Sequence, residues 1–263
     1  MSESDRAAVV ESAARAGSRV AEEFYRTDID VETKGGKTDV VTHADRDAQR
    51  RVIEVVRESF PEDAIVGEEE DELKEVPDAG AAWVIDPIDG TNNYVRDIPM
   101  WATSVAAVVD GEAVAAANIV PALGDAYVAD DSGVRLNGEA VSVSDSTDPE
   151  TFAVAPTIWW EFADRDAYAD VCRGVVENFG DMRRFGSAQV TLSMVAAGQL
   201  EATVTDVETN PWDTVAGVFM VRQAGGTVTD VHGDHWTPES EGLVASNGEA
   251  HDLVVDAARR AIE

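Results

Sequence analysis

Asp86 and Asp89 sit three residues apart in the run Asp86-Pro87-Ile88-Asp89-Gly90-Thr91. The apolar stretch Ala81-Ala82-Trp83-Val84-Ile85 leads into this run and reads as a buried strand. Gly90-Thr91 reads as the start of a helix. Acids at a strand end suit hard divalent cations, which take oxygen ligands. Backbone N–H groups at a helix start suit phosphate. The combination points to metal-assisted phosphate chemistry. From this composition, Asp-Pro-x-Asp-Gly-Thr is expected by accident in about one such sequence in two thousand.

Two other acidic segments are placed to complete a site. Gly67-Glu68-Glu69-Glu70 follows a predicted strand, and Asn210-Pro211-Trp212-Asp213 opens a predicted helix. A site for two cations needs a bridging carboxylate and flanking acids. Taken singly, Glu68 also fits a solvated loop, and Asp213 also fits an acid favouring a helix dipole.

The elements that must position these groups follow from hydrophobic period. Val10, Ala13, Ala14, Val20, Ala21 and Phe24 share one face of a helix over residues 5–26. Thr42-His43-Ala44-Asp45 matches a capped helix start, with a stripe at Ala48, Val52, Val55, Val56 and Phe60 running to Pro61. Strands are expected at Ala64–Val66, Ala82–Asp86, Ala102–Val109, Ala113–Val120 and Ala126–Ala129, with Asp110-Gly111 as a hairpin turn. Polar residues 141–150 read as a crossover. Beyond it, strands at Phe152–Ala155, Met182–Phe185, Ala202–Thr205, Gly226–Val231 and Gly242–Ala245 alternate with helices. The helices are Arg165–Glu177, Ser187–Ala197, Asp213–Ala224 and Glu249–Ile262, with Asn247 as an N-cap. The expectation is α/β: an α+β metal-binding half over 1–140 and an α/β substrate half over 141–263, forming one compact catalytic unit over 1–263.

Composition sets the limits. The formal net charge is −32, with 52 acidic against 20 basic residues, and only Lys34, Lys37 and Lys74 are lysines. The hydrophobic fraction of 44% is that of a folded protein, so the acids belong to its surface. Such a surface suits high salt, where screening removes self-repulsion, and marks the chain as halophilic. Nucleic-acid phosphates would be repelled. Cys172, the one cysteine, reads as a packed thiol. The N-terminus lacks a signal-sequence pattern, and no uncharged run approaches about 18 residues, so a soluble cytoplasmic protein with no membrane partner is expected.

In order and spacing, these segments resemble the inositol monophosphatase family of magnesium-dependent phosphatases. The resemblance rests on Lys34 with Asp39 through Asp45, Gly67-Glu68-Glu69, Trp83 through Tyr94, Gly186-Ser187-Ala188 and Trp212 through Gly217. It implies a layered αβαβα sugar-phosphatase fold, a homodimer, and two Mg²⁺ ions with a weaker third, Mn²⁺ being an alternative metal. Glu68, Asp86 and the Ile88 carbonyl would hold one ion, and Asp86, Asp89 and Asp213 a second. Asp45 and Thr91 match the pair that activates the attacking water, with Glu68 assisting. Gly90 and Thr91 would grip phosphate. Asp89, Ser187, Ala188, Asp206 and Arg184 would face the rest of the substrate, and Lys34 would lie on a mobile loop beside the site. The family's substrate-contacting acid falls on Asp206 counting back from Asp213, and on Thr205 counting forward from the preceding strand.

The implied reaction is hydrolysis of a small phosphorylated sugar or polyol. Inositol 1-phosphate is the first candidate and fructose 1,6-bisphosphate the second, with Arg183-Arg184 as its extra anion site. 3′-Phosphoadenosine 5′-phosphate is a third, and a non-catalytic metal- or phosphate-binding regulator is the rival class.

Overall fold

The computed structural model describes residues 3–27, 31–33, 40–69, 72–158 and 160–259. Lys34, Lys37, Asp39, Glu70, Trp159 and the expected helix end at Ile262 lie outside the described residues. Helix α1 (Glu3–Phe24) buries Val10, Ala13, Ala14 and Ala21, most of the stripe read from its sequence. Strands β1 (Val31–Thr33) and β2 (Val40–Thr42) pair antiparallel and lead into α2 (His43–Ser59). The Thr42 hydroxyl caps α2, and the Asp45 side chain accepts from the Thr42 N–H, closing a capping box.

A seven-stranded sheet follows. Its strands are β3 (Ala64–Gly67), β4 (Ala81–Asp89), β5 (Ala102–Val109), β6 (Glu112–Val120), β7 (Asp125–Asp130), β8 (Gly133–Leu136) and β9 (Glu139–Val141), in that spatial order. A single helical turn, α3 (Thr91–Tyr94), lies between β4 and β5. Strand β3 runs parallel to β4 and every later pair is antiparallel. The sequence reading did not anticipate β8 and β9. They are only four and three residues long, too short for a clear period, and their signal is the Asn137-Gly138 turn, where both residues have positive φ (53° and 87°).

The second half contains β10 (Ala153–Pro156), α4 (Arg165–Asn178), β11 (Asp181–Met182), α5 (Ala188–Ala196), β12 (Ala202–Thr205), α6 (Pro211–Gln223), β13 (Thr227–Thr229), β14 (Leu243–Ser246) and α7 (His251–Arg259). Its five strands are ordered β11-β10-β12-β14-β13. Strand β10 is parallel to β11 and β12, but β14 is antiparallel to β12 and β13, so this sheet is mixed. Asn247 was expected to cap the last helix. Instead its side chain accepts from the Glu249 N–H at 3.1 Å and donates to the carbonyls of Ser144 and Ser146, and α7 begins four residues later.

These elements stack in five layers. Helices α1 and α2 cover one face of the large sheet. Helices α5 and α6 fill the space between the two sheets, and α4 and α7 cover the outer face of the small one. The apolar run of β4 is thereby explained. Trp83 and Ile85 pack with α1 and α2, while Ala82 and Val84 pack with α5 and α6, so both faces of the strand are buried. Helices α5 and α6 are buried almost all round because they face a sheet on each side.

Candidate active site

Residues three apart on a regular strand point to opposite faces. Asp86 and Asp89 do not, because β4 is bulged between them. Asp86 pairs with Ser104 and Asp89 with Ala102, so three steps on β4 face two on β5. Pro87, which has no N–H for the ladder, occupies the bulge. The Ile88 N–H turns back to Asp86 Oδ1 at 3.0 Å. The irregularity brings both carboxylates to one side, where an oxygen of each lies within 4.8 Å of an oxygen of Asp213.

Asp213 arrives from α6. Pro211 occupies the first helical turn, where its missing N–H is of no consequence, and Asp213 follows two residues later. Asn210 Nδ2 donates to Asp213 Oδ2 at 3.0 Å. Glu68 arrives from the end of β3, whose parallel register sets Gly67 beside Ile85, and the Glu68 N–H donates to the Ile85 carbonyl at 3.3 Å. Asp89 is held by three donors. It accepts from the Ser187 hydroxyl, from the Ala188 N–H at 3.1 Å and from the Gln189 N–H at 2.8 Å, all at the start of α5.

The electrostatics follow from crowding acids in a buried place. Asp86 is 2% exposed and Asp89 4%. Burial, then the charges of Glu68, Asp89 and Asp213, push the Asp86 carboxyl well above its ordinary range. Burial raises Asp89 to about 6 against the pull of its three donors. Burial, then the charges of Asp89 and Glu68, raise Asp213 to about 7. The donors are all oxygens, and a divalent cation would relieve both the burial cost and the mutual repulsion. The residues therefore fit a site for Mg²⁺ or a similar hard ion.

Asp45 and Thr91 sit at the edge of this cluster. Asp45 Oδ2 is held by the Thr42 N–H at 2.8 Å and the Thr42 hydroxyl at 2.7 Å. Its other oxygen faces the Thr91 hydroxyl at 3.4 Å, which is also 3.0 Å from the Ile88 carbonyl. Burial raises the Asp45 carboxyl to about 7, with the Thr42 bonds opposing and the Glu68 charge adding. Gly90, between Asp89 and Thr91, has φ +89°, and a Cβ there would lie 3.0 Å from the Met100 carbonyl oxygen and 3.1 Å from the Ser187 Cβ. Only glycine fits the turn without strain.

The remaining expected residues are placed as follows. Ser187 is buried; its hydroxyl donates to Asp89 and accepts from the Val190 N–H, and the Ala188 N–H is directed at Asp89. Asp206 accepts from the buried Trp160 indole, which stacks on Tyr168 at 4.4 Å; Thr205 is buried at the end of β12. Arg184 donates to the Ile158 carbonyl at 2.7 Å and lies over Trp160 and Tyr168, whereas Arg183 pairs with Asp181. Cys172 is half-buried in α4. His43 packs edge-on against Phe24 at 4.6 Å, and His232 meets Glu241 on the surface.

The sequence reading missed several supports. Gln49 is fully buried and brackets the Glu69 backbone, donating to its carbonyl at 2.7 Å and accepting from its N–H at 3.0 Å. Lys74 donates to the carbonyls of Gly67 and Glu68 and lies over the Trp212 ring. Gln189 joins α5 to α6. Polar residues at apolar-face positions of Gln49 and Gln189, and the rarity of lysine, were the available signals.

The family model described as the inositol monophosphatase family matches residues 1–263. A Thermotoga maritima protein named fructose-1,6-bisphosphatase/inositol-1-monophosphatase is 36% identical over 238 residues, covering 89% of this chain and 88% of its own. The Nus factor SuhB of Escherichia coli K12 is 32% identical over 242 residues, covering 90% of this chain and 89% of its own. Among solved structures, an IMPase from Thermotoga maritima superposes with a TM-score of 0.89 at 32% identity, covering 98% of each chain. An inositol monophosphatase from Anabaena superposes with a TM-score of 0.84 at 26% identity, covering 97% of this chain and 95% of its own.

Proposed function

This chain belongs to the inositol monophosphatase family of metal-dependent phosphatases, and from that premise we propose that it hydrolyses inositol 1-phosphate to inositol and phosphate with Mg²⁺. The observation that carries the reading is the convergence of Asp86, Asp89 and Asp213 beside the Asp45–Thr91 pair. Asp86, Asp89, Asp213, Glu68 and the Ile88 carbonyl would hold the metal. When bound, Mg²⁺ would supply positive charge to phosphoryl oxygens and make water more acidic.

The chain's own groups then have distinct tasks. With Oδ2 fixed by Thr42, Asp45 Oδ1 is the atom free to take a proton, through the Thr91 hydroxyl or from a water beside it. The raised Asp45 carboxyl makes it a base poised near neutral pH. The turn at Gly90 and Thr91 presents backbone N–H groups to the phosphate. Asp89, Ser187, Ala188, Asp206 and Arg184 would face the remainder of the substrate, with Lys34 as a further contact. Ser187 and Ala188 also bond to Asp89, which holds that ligand in place. A cytoplasmic, salt-adapted homodimer completes the proposal, and sedimentation equilibrium in molar KCl checks its subunit number. Among the described residues, no helix is long and apolar enough to cross a membrane.

Fructose 1,6-bisphosphate is the second reading, favoured by the double name of the 36%-identical relative. The test is phosphate release from inositol 1-phosphate, fructose 1,6-bisphosphate and 3′-phosphoadenosine 5′-phosphate in molar KCl, with Mg²⁺ and with chelator. Mg²⁺-dependent turnover of inositol 1-phosphate above the others is expected. Preference for the bisphosphate would move the assignment to the second reading. Folded protein that turns over none of them would support a regulator, the class suggested by the name Nus factor of the SuhB relative.

A further inference from the structure

Asp89 and Asp213 come from elements far apart in sequence, yet one residue touches the attachments of both. The Gln189 backbone N–H donates to Asp89 Oδ2 at 2.8 Å. The Gln189 side-chain Nε2 donates to the Trp212 carbonyl at 2.7 Å, one residue before Asp213. Its Oε1 accepts from Asn118 Nδ2 at 3.0 Å. Asn118 lies near the C-terminal end of β6 and, like Gln189, is fully buried. Its amide nitrogen also faces the Gln189 carbonyl at 3.3 Å and the Ser193 hydroxyl at 2.9 Å, while its Oδ1 is buried without a partner. A side chain there solely to fill space would be cheaper as an apolar residue, since a buried unpaired acceptor costs stability. Helix α6 approaches α5 closely at this level: a Cβ on Gly217 would lie 2.4 Å from the Leu192 Cβ and 3.0 Å from Gln189 Oε1.

We propose that Gln189, oriented by Asn118, is a positioning residue that fixes the Asp213 end of α6 against the Asp89 end of β4 and so sets the cation affinity of the acid cluster. A ligand set gathered from two elements binds a small hard ion well only if the spacing between those elements is held, because such an ion tolerates little departure from its preferred geometry. The amide of Gln189 is suited to that task. It donates to α6 and accepts from β6 with one rigid group, while its own backbone is committed to Asp89.

The inference rests on the metal-site reading above, and the experiment separates the two. Mn²⁺ binding is measured in molar KCl by the electron paramagnetic resonance signal of free Mn²⁺, alongside urea unfolding of the chelated protein. Wild type, Asp213→Asn, Gln189→Met, Asn118→Val, the Asn118→Val/Gln189→Met double variant and Tyr127→Phe are compared. Gln189→Met is expected to weaken Mn²⁺ binding about 10-fold. Asn118→Val is expected to weaken it less, and the double variant no more than Gln189→Met alone, because Asn118 acts through Gln189. Tyr127→Phe removes a hydrogen bond to Gln199 elsewhere in the same core and is expected to lower stability with wild-type affinity. Wild-type affinity in folded Gln189→Met overturns the proposal. Should that variant not fold, unchanged affinity in Asn118→Val overturns it equally. A double variant that loses the sum of both effects overturns the role of Asn118. If wild type shows no saturable Mn²⁺ binding, or Asp213→Asn leaves it intact, the metal-site reading itself falls and this proposal with it.

Discussion

Replacing Asp45 by asparagine should make the metal-free protein more stable and the enzyme nearly inactive. Asp45 is 1% exposed, and burial lifts its carboxyl from 3.8 to about 7 in the folded state. Between those two pH values the folded protein holds a proton that the unfolded chain releases. Wild-type stability therefore falls as pH rises across that window, and the full penalty is present above it. At about 1.4 kcal/mol per pH unit, the interval corresponds to about 4 kcal/mol. An amide carries no such penalty and can still accept a hydrogen bond from Thr42. Urea unfolding of the chelated proteins should give near-equal stabilities at pH 4 and a gap approaching 4 kcal/mol at pH 8 in favour of Asp45→Asn. Turnover with Mg²⁺ should fall at least about 100-fold, the low end for loss of a general base. A stability difference that does not change with pH would refute the burial argument. Wild-type turnover would remove Asp45 from the mechanism.

Three other outcomes are expected. With a net charge of −32, raising KCl from 0.1 M to 2 M should raise the unfolding temperature by several degrees, since the screening length falls from about 10 Å to about 3 Å by 1 M; a flat series would count against salt adaptation. Asp63→Ala removes the carboxylate that pairs with Arg6 and accepts from the Trp83 indole, and should cost about 2–3 kcal/mol at pH 7. Burial alone would raise the Asp63 carboxyl, but Arg6 and Trp83 hold it below 3.8, so its contribution is complete above that value and lost as pH falls through the lower folded one. Urea unfolding at pH 7 and at pH 2.5 would show the gap closing. Gly90→Ala forces a side chain into the +89° turn against the Met100 carbonyl. It should cost about 2 kcal/mol and lower turnover, because Asp89 and Thr91 flank that turn; unchanged kinetics would mean the turn does not set both.

Local rules made much of the fold legible. The capping box at Thr42 and Asp45, the Asp110-Gly111 hairpin and the helix opened by Pro211 each depend on residues within one turn of one another. Where the reading fell short, the cause was context. Strands β8 and β9 are only four and three residues long, so their period was weak and only their Asn137-Gly138 turn marked them. Asn247 has the residue type of a cap, but its amide is claimed by carbonyls at Ser144 and Ser146, a hundred residues earlier in the chain.

The candidate site divides the same way. The sequence alone determined which acids could bind a cation, because carboxylates beside Pro87 and Gly90 carry their chemistry and their turn preference with them. It could not determine that Asp86 and Asp89 face the same side, since strand period alone would send them apart; the bulge against β5 decides that. Nor could it show that Ser187, Ala188 and Gln189 spend their donors on Asp89, or that Gln189 and Asn118 meet inside the core. Those contacts join residues some seventy to one hundred positions apart. They exist only once α5 and α6 are packed between two sheets, where every buried polar group must find its partner in space and not in sequence.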